Sequence, residues 1–166
     1  MSKSIQVDTR QKAGKHDTKH ESLERMGYAL FRSKLAFGDY AKPPAVAVDS
    51  KASIYELAMD IDREHDRFRG ELTGARDVGT KLVVLVENED GVRDLGGLAA
   101  WRESSAHLQM RKRKSGNRFA RRIEGARLAK ACATMEARYG VVFDFCPPEE
   151  SAARIAAWLD RGGDES

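Results

Sequence analysis

Lys81-Leu-Val-Val-Leu-Val-Glu87 is an unbroken apolar run closed by an acid. A strand without polar alternation is covered on both faces, so this segment is expected in the middle of a sheet flanked by two layers of helices. Upstream, Ala45-Val-Ala-Val-Asp-Ser50 reads as a second buried strand, and Ser53-Ile-Tyr-Glu56 is a capping box that opens a helix. The apolar positions of that helix, Ile54, Leu57, Ala58, Ile61, Phe68 and Leu72, recur close to the helical period. Downstream, residues 88–118 are turn-rich and basic and lack a long periodic pattern, so an extended loop or insertion with only short local structure is expected. Ile123, Leu128, Cys132 and Met135 then line a helix that ends at Gly140, Val141-Val-Phe-Asp-Phe145 is a strand, and Pro147 to Leu159 forms a closing helix anchored by Ile155, Trp158 and Leu159.

Toward the amino terminus, Ile5-Gln-Val-Asp8 is a first strand followed by a polar loop, and Thr18-Lys-His-Glu21 is a capping box for a helix over about 19–26. Tyr28–Tyr40 is rich in strand formers and closes at Gly38, ahead of a Lys-Pro-Pro turn. Strands alternating with helices predict an α/β three-layer sandwich. Its central mixed, partly parallel sheet contains Ile5–Asp8, Ala45–Lys51, Leu82–Glu87 and Val141–Phe145, with helices on both faces. One domain is expected over residues 1–160, with a basic loop or insertion around 88–120 and a flexible tail at 161–166.

The 166 residues are 41% apolar and 33% charged, enough to bury a core and too balanced for a disordered polyelectrolyte. No apolar run approaches the roughly 18 residues that span a bilayer, and the first residues hold no signal-peptide core, so a cytoplasmic protein without a membrane partner is expected. Cys132 and Cys146 have no ligand spacing, which disfavours a zinc finger and a disulfide framework. Net charge is only +3, but it is unevenly placed: Arg111–Arg122 has seven basic residues in twelve and no acid, whereas Asp144–Ser166 has six acids and two bases. A polyanion can dock on the first stretch and not on the last. Neither a G-x-S-x-G elbow nor a GxxxxGK[ST] loop occurs, which argues against a serine hydrolase of that type and against a motor unit.

Asp8, Asp39 and Asp49 all fall at or just beyond strand ends, and Lys51 follows Asp49 on the same side of its strand. Carboxylates in such a group can hold Mg²⁺ or Mn²⁺ and activate a water, while a lysine stabilises charge on the attacked phosphate. That chemistry suits phosphodiester hydrolysis.

The order of these segments resembles the XPF/Hef-type nuclease domain of the PD-(D/E)XK superfamily. Its V-D-x-R-E, G-D-Y and V-E-R-K segments are matched by Val7-Asp8-Thr9-Arg10-Gln11, Gly38-Asp39-Tyr40 and Val48-Asp49-Ser50-Lys51. The likeness continues through Lys81–Glu87 and Leu128–Leu159, about three quarters of the chain, but not through 88–120. It implies a restriction-endonuclease-like fold and a divalent-metal-dependent endodeoxyribonuclease, resolvase-like, that cuts branched or flapped DNA in repair or recombination. Asp39 and Asp49 would bind the metal, with Asp8 as a third acid and Lys51 at the phosphate. On charge alone, and outside what the resemblance covers, the basic residues Arg111, Lys112, Arg113, Lys114, Arg118, Arg121 and Arg122 would hold DNA through its backbone, together with Arg10. A homodimer is expected from the resemblance and from the apolar faces of the last two helices. Three departures stand against full activity: Gln11 replaces a glutamate, Asp49 is shorter than the family's glutamate, and Ser50 replaces an arginine. They support an alternative, a catalytically impaired DNA-binding or scaffold module of the same fold. A sequence-specific restriction-type nuclease is a third reading that composition leaves open.

Overall fold

The computed structural model describes residues 3–164. The chain runs β1 (Lys3–Asp8), α1 (Asp17–Arg25), β2 (Tyr28–Ser33), β3 (Tyr40–Lys42), β4 (Val46–Lys51), α2 (Ile54–Asp62), α3 (His65–Asp77), β5 (Lys81–Glu87), α4 (Leu95–Ala100), α5 (Ser105–Ser115), α6 (Gly125–Tyr139), β6 (Val142–Cys146) and α7 (Ser151–Asp164). The six strands form one sheet in the order β2-β1-β3-β4-β5-β6. β1 runs parallel to β2, and β4, β5 and β6 are parallel to one another, whereas β3 is antiparallel to both of its neighbours. This is the mixed, partly parallel sandwich expected from the sequence.

The side-chain alternation of β5 divides the core in two. Leu82, Val84 and Val86 pack with Leu57, Phe68, Leu72, Leu128 and Cys132 of α2, α3 and α6, while Val83 and Leu85 pack with Leu23, Ile155 and Leu159 of α1 and α7. All five of these β5 side chains are at most 2% exposed. The period of two in β5 thus meets the 3.6-residue period of helices on both sides, which is why the run reads as apolar throughout. Cys132 and Cys146 are free, buried thiols in opposite layers.

Local departures from the sequence reading have physical causes. The helix expected from Ile54 to Leu72 breaks at Arg63–Glu64 into α2 and α3. Ser53 does cap α2, accepting the Glu56 N–H at 3.1 Å. Thr18 does not cap α1, which begins at Asp17 after His16 with no side-chain cap. The Tyr28–Tyr40 strand divides into β2 and β3 around the turn at Gly38, whose φ is +70° and whose added Cβ would lie 2.7 Å from the Val48 carbonyl oxygen. β6 lies at the edge of the sheet, yet its outward N–H groups are not bare: Glu136 accepts from Phe143 and Asp144 from Phe145.

Residues 88–120, expected as an extended loop or insertion with only short local structure, contain the six-residue α4 and the eleven-residue α5. The helix α7 continues to Asp164, so residues 161–164 are helical where a flexible tail was expected, and residues 165–166 of that tail lie outside the described residues. The apolar faces of α6 and α7 cover opposite faces of the sheet. No helix among the described residues is long and apolar enough to cross a membrane.

Candidate functional site

Parallel strands bring their carboxyl ends to one side of a sheet, and there β1, β4 and β5 open onto a cleft of about 900 Å³. Asp8, Arg10, Asp39, Asp49 and Lys51, separated by up to 43 residues in sequence, all line it. Asp8, at the end of β1, accepts from Arg10 Nε at 2.7 Å and from the Leu35 N–H at 3.4 Å. Arg10 also donates to the Leu35 carbonyl at 3.0 Å. Asp39 ties the turn to β4: its N–H donates to the Val48 carbonyl at 2.8 Å, and its Oδ2 accepts from the Ser50 N–H at 2.9 Å.

Lys51 Nζ sits between the buried Asp49 carboxylate and the half-buried Asp60 carboxylate, 2.8 Å from Asp49 Oδ2 and 2.5 Å from Asp60 Oδ2. Neither oxygen is aligned with it as a hydrogen bond, so the contact is a close ion pair with poor directionality. Burial pushes the Asp49 carboxyl up to about 8; Lys51 opposes the rise, and Glu71 and Asp39 reinforce it. Burial works against the Lys51 charge, but Asp49 and Asp60 outweigh it and hold its pKa above the ordinary lysine value. A second pair lies alongside, with Lys19 Nζ 2.6 Å from Glu87 Oε1 and donating to Ser50 Oγ at 3.1 Å.

The expected metal centre is overturned by this arrangement. Among the described residues no three His, Cys, Asp or Glu side chains form a group that could hold a metal ion. The assignment of Mg²⁺ or Mn²⁺ to Asp39, Asp49 and Asp8 is therefore corrected, and with it the divalent-metal-dependent endodeoxyribonuclease. The physical reason is that the carboxylates already have partners: Arg10 holds Asp8, the β4 backbone holds Asp39, and Lys51 pairs with Asp49. Gln11 supplies an amide where the family has a carboxylate. It approaches His20 Nε2 at 3.2 Å and donates to the Asp39 carbonyl at 3.4 Å.

Among the charged members of the cleft that sequence reasoning missed are Lys19, Asp60, Glu71 and Glu87. Glu87 was within reach, since it closes β5 as Asp49 nearly closes β4. Asp60 and Glu71 belong to helices whose apolar pattern says nothing of where their polar faces point.

The basic segment Arg111–Arg122 lies outside the cleft and divides into two sets. Arg111 and Arg122 serve the fold. Glu103, whose side chain is 0% exposed, accepts from Arg111 Nε at 2.9 Å and Nη2 at 2.9 Å, from the Ile123 N–H at 2.9 Å, and pairs with His107 Nδ1 at 2.8 Å. Arg122 donates to the Glu103 carbonyl and to Ser105 Oγ. These donors outweigh burial and hold the Glu103 carboxyl down at about 2. Arg113, Lys114, Arg118 and Arg121 are exposed and make no ion pair among the described residues, and Lys112 is half-buried.

No protein-family model matches the chain, and no curated protein matches its sequence. Solved structures match its fold. XPF from Aeropyrum pernix superposes with a TM-score of 0.62 at 18% identity, over 95% of this chain and 60% of that one. XPF from Aeropyrum pernix in complex with DNA superposes with a TM-score of 0.63 at 16% identity, over 98% of this chain and 66% of that one. The chain thus shares its fold with these XPF structures. It spans 60–66% of the length of these XPF chains, and at such identity the likeness carries the fold alone.

Proposed function

We propose that this chain is a DNA-binding module with the XPF-type nuclease fold and a catalytically impaired centre. The observation that carries the reading is the set of four exposed cations, Arg113, Lys114, Arg118 and Arg121, presented without an intervening acid on a segment that Glu103 anchors. Cations in this state are available to phosphates, as Lys12 and Lys15 at the cleft also are, whereas Arg10, Lys19 and Lys51 of the cleft are each held by a carboxylate. Eight carboxylates, one of them the Asp49 carboxyl pushed up to about 8, and six lysine or arginine side chains line the cleft, so its charges nearly cancel and it attracts a polyanion less than the basic segment does. A fold that a solved XPF presents in complex with DNA supports the same partner here. Contacts confined to phosphates discriminate DNA by shape and not by sequence, which favours branched or junction substrates over a sequence motif.

The test is equilibrium binding to duplex, flap, fork and four-way DNA as a function of salt. Each neutralised phosphate contributes about 0.9 to the slope of log affinity against log salt on duplex DNA. Replacing Arg113, Lys114, Arg118 and Arg121 by Gln should flatten that slope and weaken every substrate. An unchanged slope would refute the assignment. Cleavage of any member of the panel on addition of Mg²⁺ or Mn²⁺ would refute the impaired centre.

A further inference from the structure

Phe119 is 77% exposed, more than any other large apolar side chain among the described residues, and it stands inside the basic segment. Scattered exposed apolar residues are ordinary on protein surfaces. Phe119 differs because its backbone is held and its neighbours are cations. The helix α5 stops at Gly116, and Asn117 then forms a tight turn: its Oδ1 accepts the Phe119 N–H at 3.1 Å and its carbonyl accepts the Ala120 N–H at 3.2 Å. Both ends of that turn are tied to the body, on one side by Arg111 bonded to Glu103 and on the other by Arg122 bonded to Ser105 Oγ at 3.0 Å. Arg111 Nη2 also donates to the Arg121 carbonyl at 2.7 Å, closing the base of the finger. The Arg118 guanidinium lies 4.8 Å from the centre of the Phe119 ring.

We propose that Phe119 is a stacking platform for an unpaired DNA base, with Arg118 and Arg121 on the phosphates that flank it. The inference rests on the DNA-binding reading above and adds its ligand class: DNA that presents single-stranded bases, as at a flap, fork or frayed end. An aromatic face stacks on any base, and a cation beside it engages the backbone, so the pair binds without sequence preference. In a blunt duplex every base is already stacked on its neighbours, and Phe119 has nothing to add.

The experiment is fluorescence anisotropy with the whole chain on four labelled DNAs of one sequence: a blunt duplex, that duplex with a single-stranded tail, the tail strand alone, and the tailed duplex with abasic sites in the tail. Phe119→Ala should weaken the tailed duplex and the single strand about 5-fold or more and leave the blunt duplex and the salt slope unchanged. Abasic sites should weaken the parent protein by a similar factor and leave Phe119→Ala unaffected. Phe119→Leu, which keeps an apolar side chain without an aromatic face, should behave as Phe119→Ala, whereas Phe119→Tyr should restore binding. If the protein binds all four DNAs with a normal salt slope but Phe119→Ala weakens none of them, or weakens all equally, the stacking assignment is overturned and the phosphate reading survives. Tighter binding to an RNA strand of the same sequence would overturn the assignment to DNA. Failure to bind any of these DNAs at low salt would overturn both readings together.

Discussion

Asp49 in the cleft and Glu103 beneath α5 are both buried carboxylates paired with a cation, yet their surroundings act on them in opposite directions. Glu103 receives four donors, from Arg111, the Ile123 backbone and His107, each between 2.8 and 2.9 Å, and is held at about 2. Asp49 has a close but poorly aligned ammonium shared with Asp60, stands near Glu71 and Asp39, and is pushed up to about 8. Burial penalises both anions. What separates them is whether enough aimed donors replace the lost water. Glu103 is thus a fastening whose charge the fold has fully satisfied, and Asp49 is the weak member of a like-charged cluster.

The comparison breaks most visibly at Glu103. Glu103→Ala leaves the Arg111 guanidinium and the Ile123 N–H without their acceptor, and losing one partner of a buried ion pair costs about 3–5 kcal/mol. Urea denaturation should record that loss, and circular dichroism should register fraying of α5. Because the folded carboxyl is depressed to about 2 from an ordinary value of 4.5, its contribution is complete above 4.5 and is lost as pH falls toward 2. Glu103→Gln should therefore resemble the parent most closely in acid. A Glu103→Ala protein as stable as the parent would show that the fastening contributes nothing.

Asp49 carries the opposite sign. Its folded value lies above its ordinary 3.8, so its contribution is complete below 3.8 and is lost as pH rises through about 8. Asp49→Asn keeps the shape and removes the charge. Relative to the parent, the variant should gain stability between about pH 5 and pH 9, as measured by denaturant midpoints at the two values. A constant difference across that range would mean that Asp49 is ionised throughout.

The two regions were not equally legible in the sequence. The strand ends announced the cleft, since Asp8, Asp49 and Lys51 are fixed by the same alternation that buries Val7, Val46 and Val48. Whether such acids face a metal or a lysine is decided by the placement of Asp60 and Glu71 on helices whose polar faces carry no periodic signal. The second region was nearly opaque. The helix α5 buries only Leu108, so no apolar stripe marks it, and it depends on polar contacts made by Glu103 from outside the helix. A lone glutamate in a basic stretch reads as a surface residue, and only the fold shows it to be fully enclosed.

The smallest expected effect sharpens the division within the basic segment itself. Arg111 and Arg113 are two residues apart on α5, but Arg111 is bonded to Glu103 while Arg113 is exposed and makes no ion pair among the described residues. Arg113→Gln and Lys114→Gln should each change folding stability by less than about 0.5 kcal/mol, the ordinary range for surface substitutions. Both lie in the last turn of α5, where a cation favours the helix dipole by about 0.3–1 kcal/mol at low salt, so a small loss that fades as salt is added is the expected form of any residual effect. Arg111→Gln, by contrast, leaves Glu103 short of two donors and should lower the denaturant midpoint at every salt concentration. Salt-insensitive losses of equal size at positions 111 and 113 would mean that the segment is held by its cations collectively and that none of them is free for a phosphate.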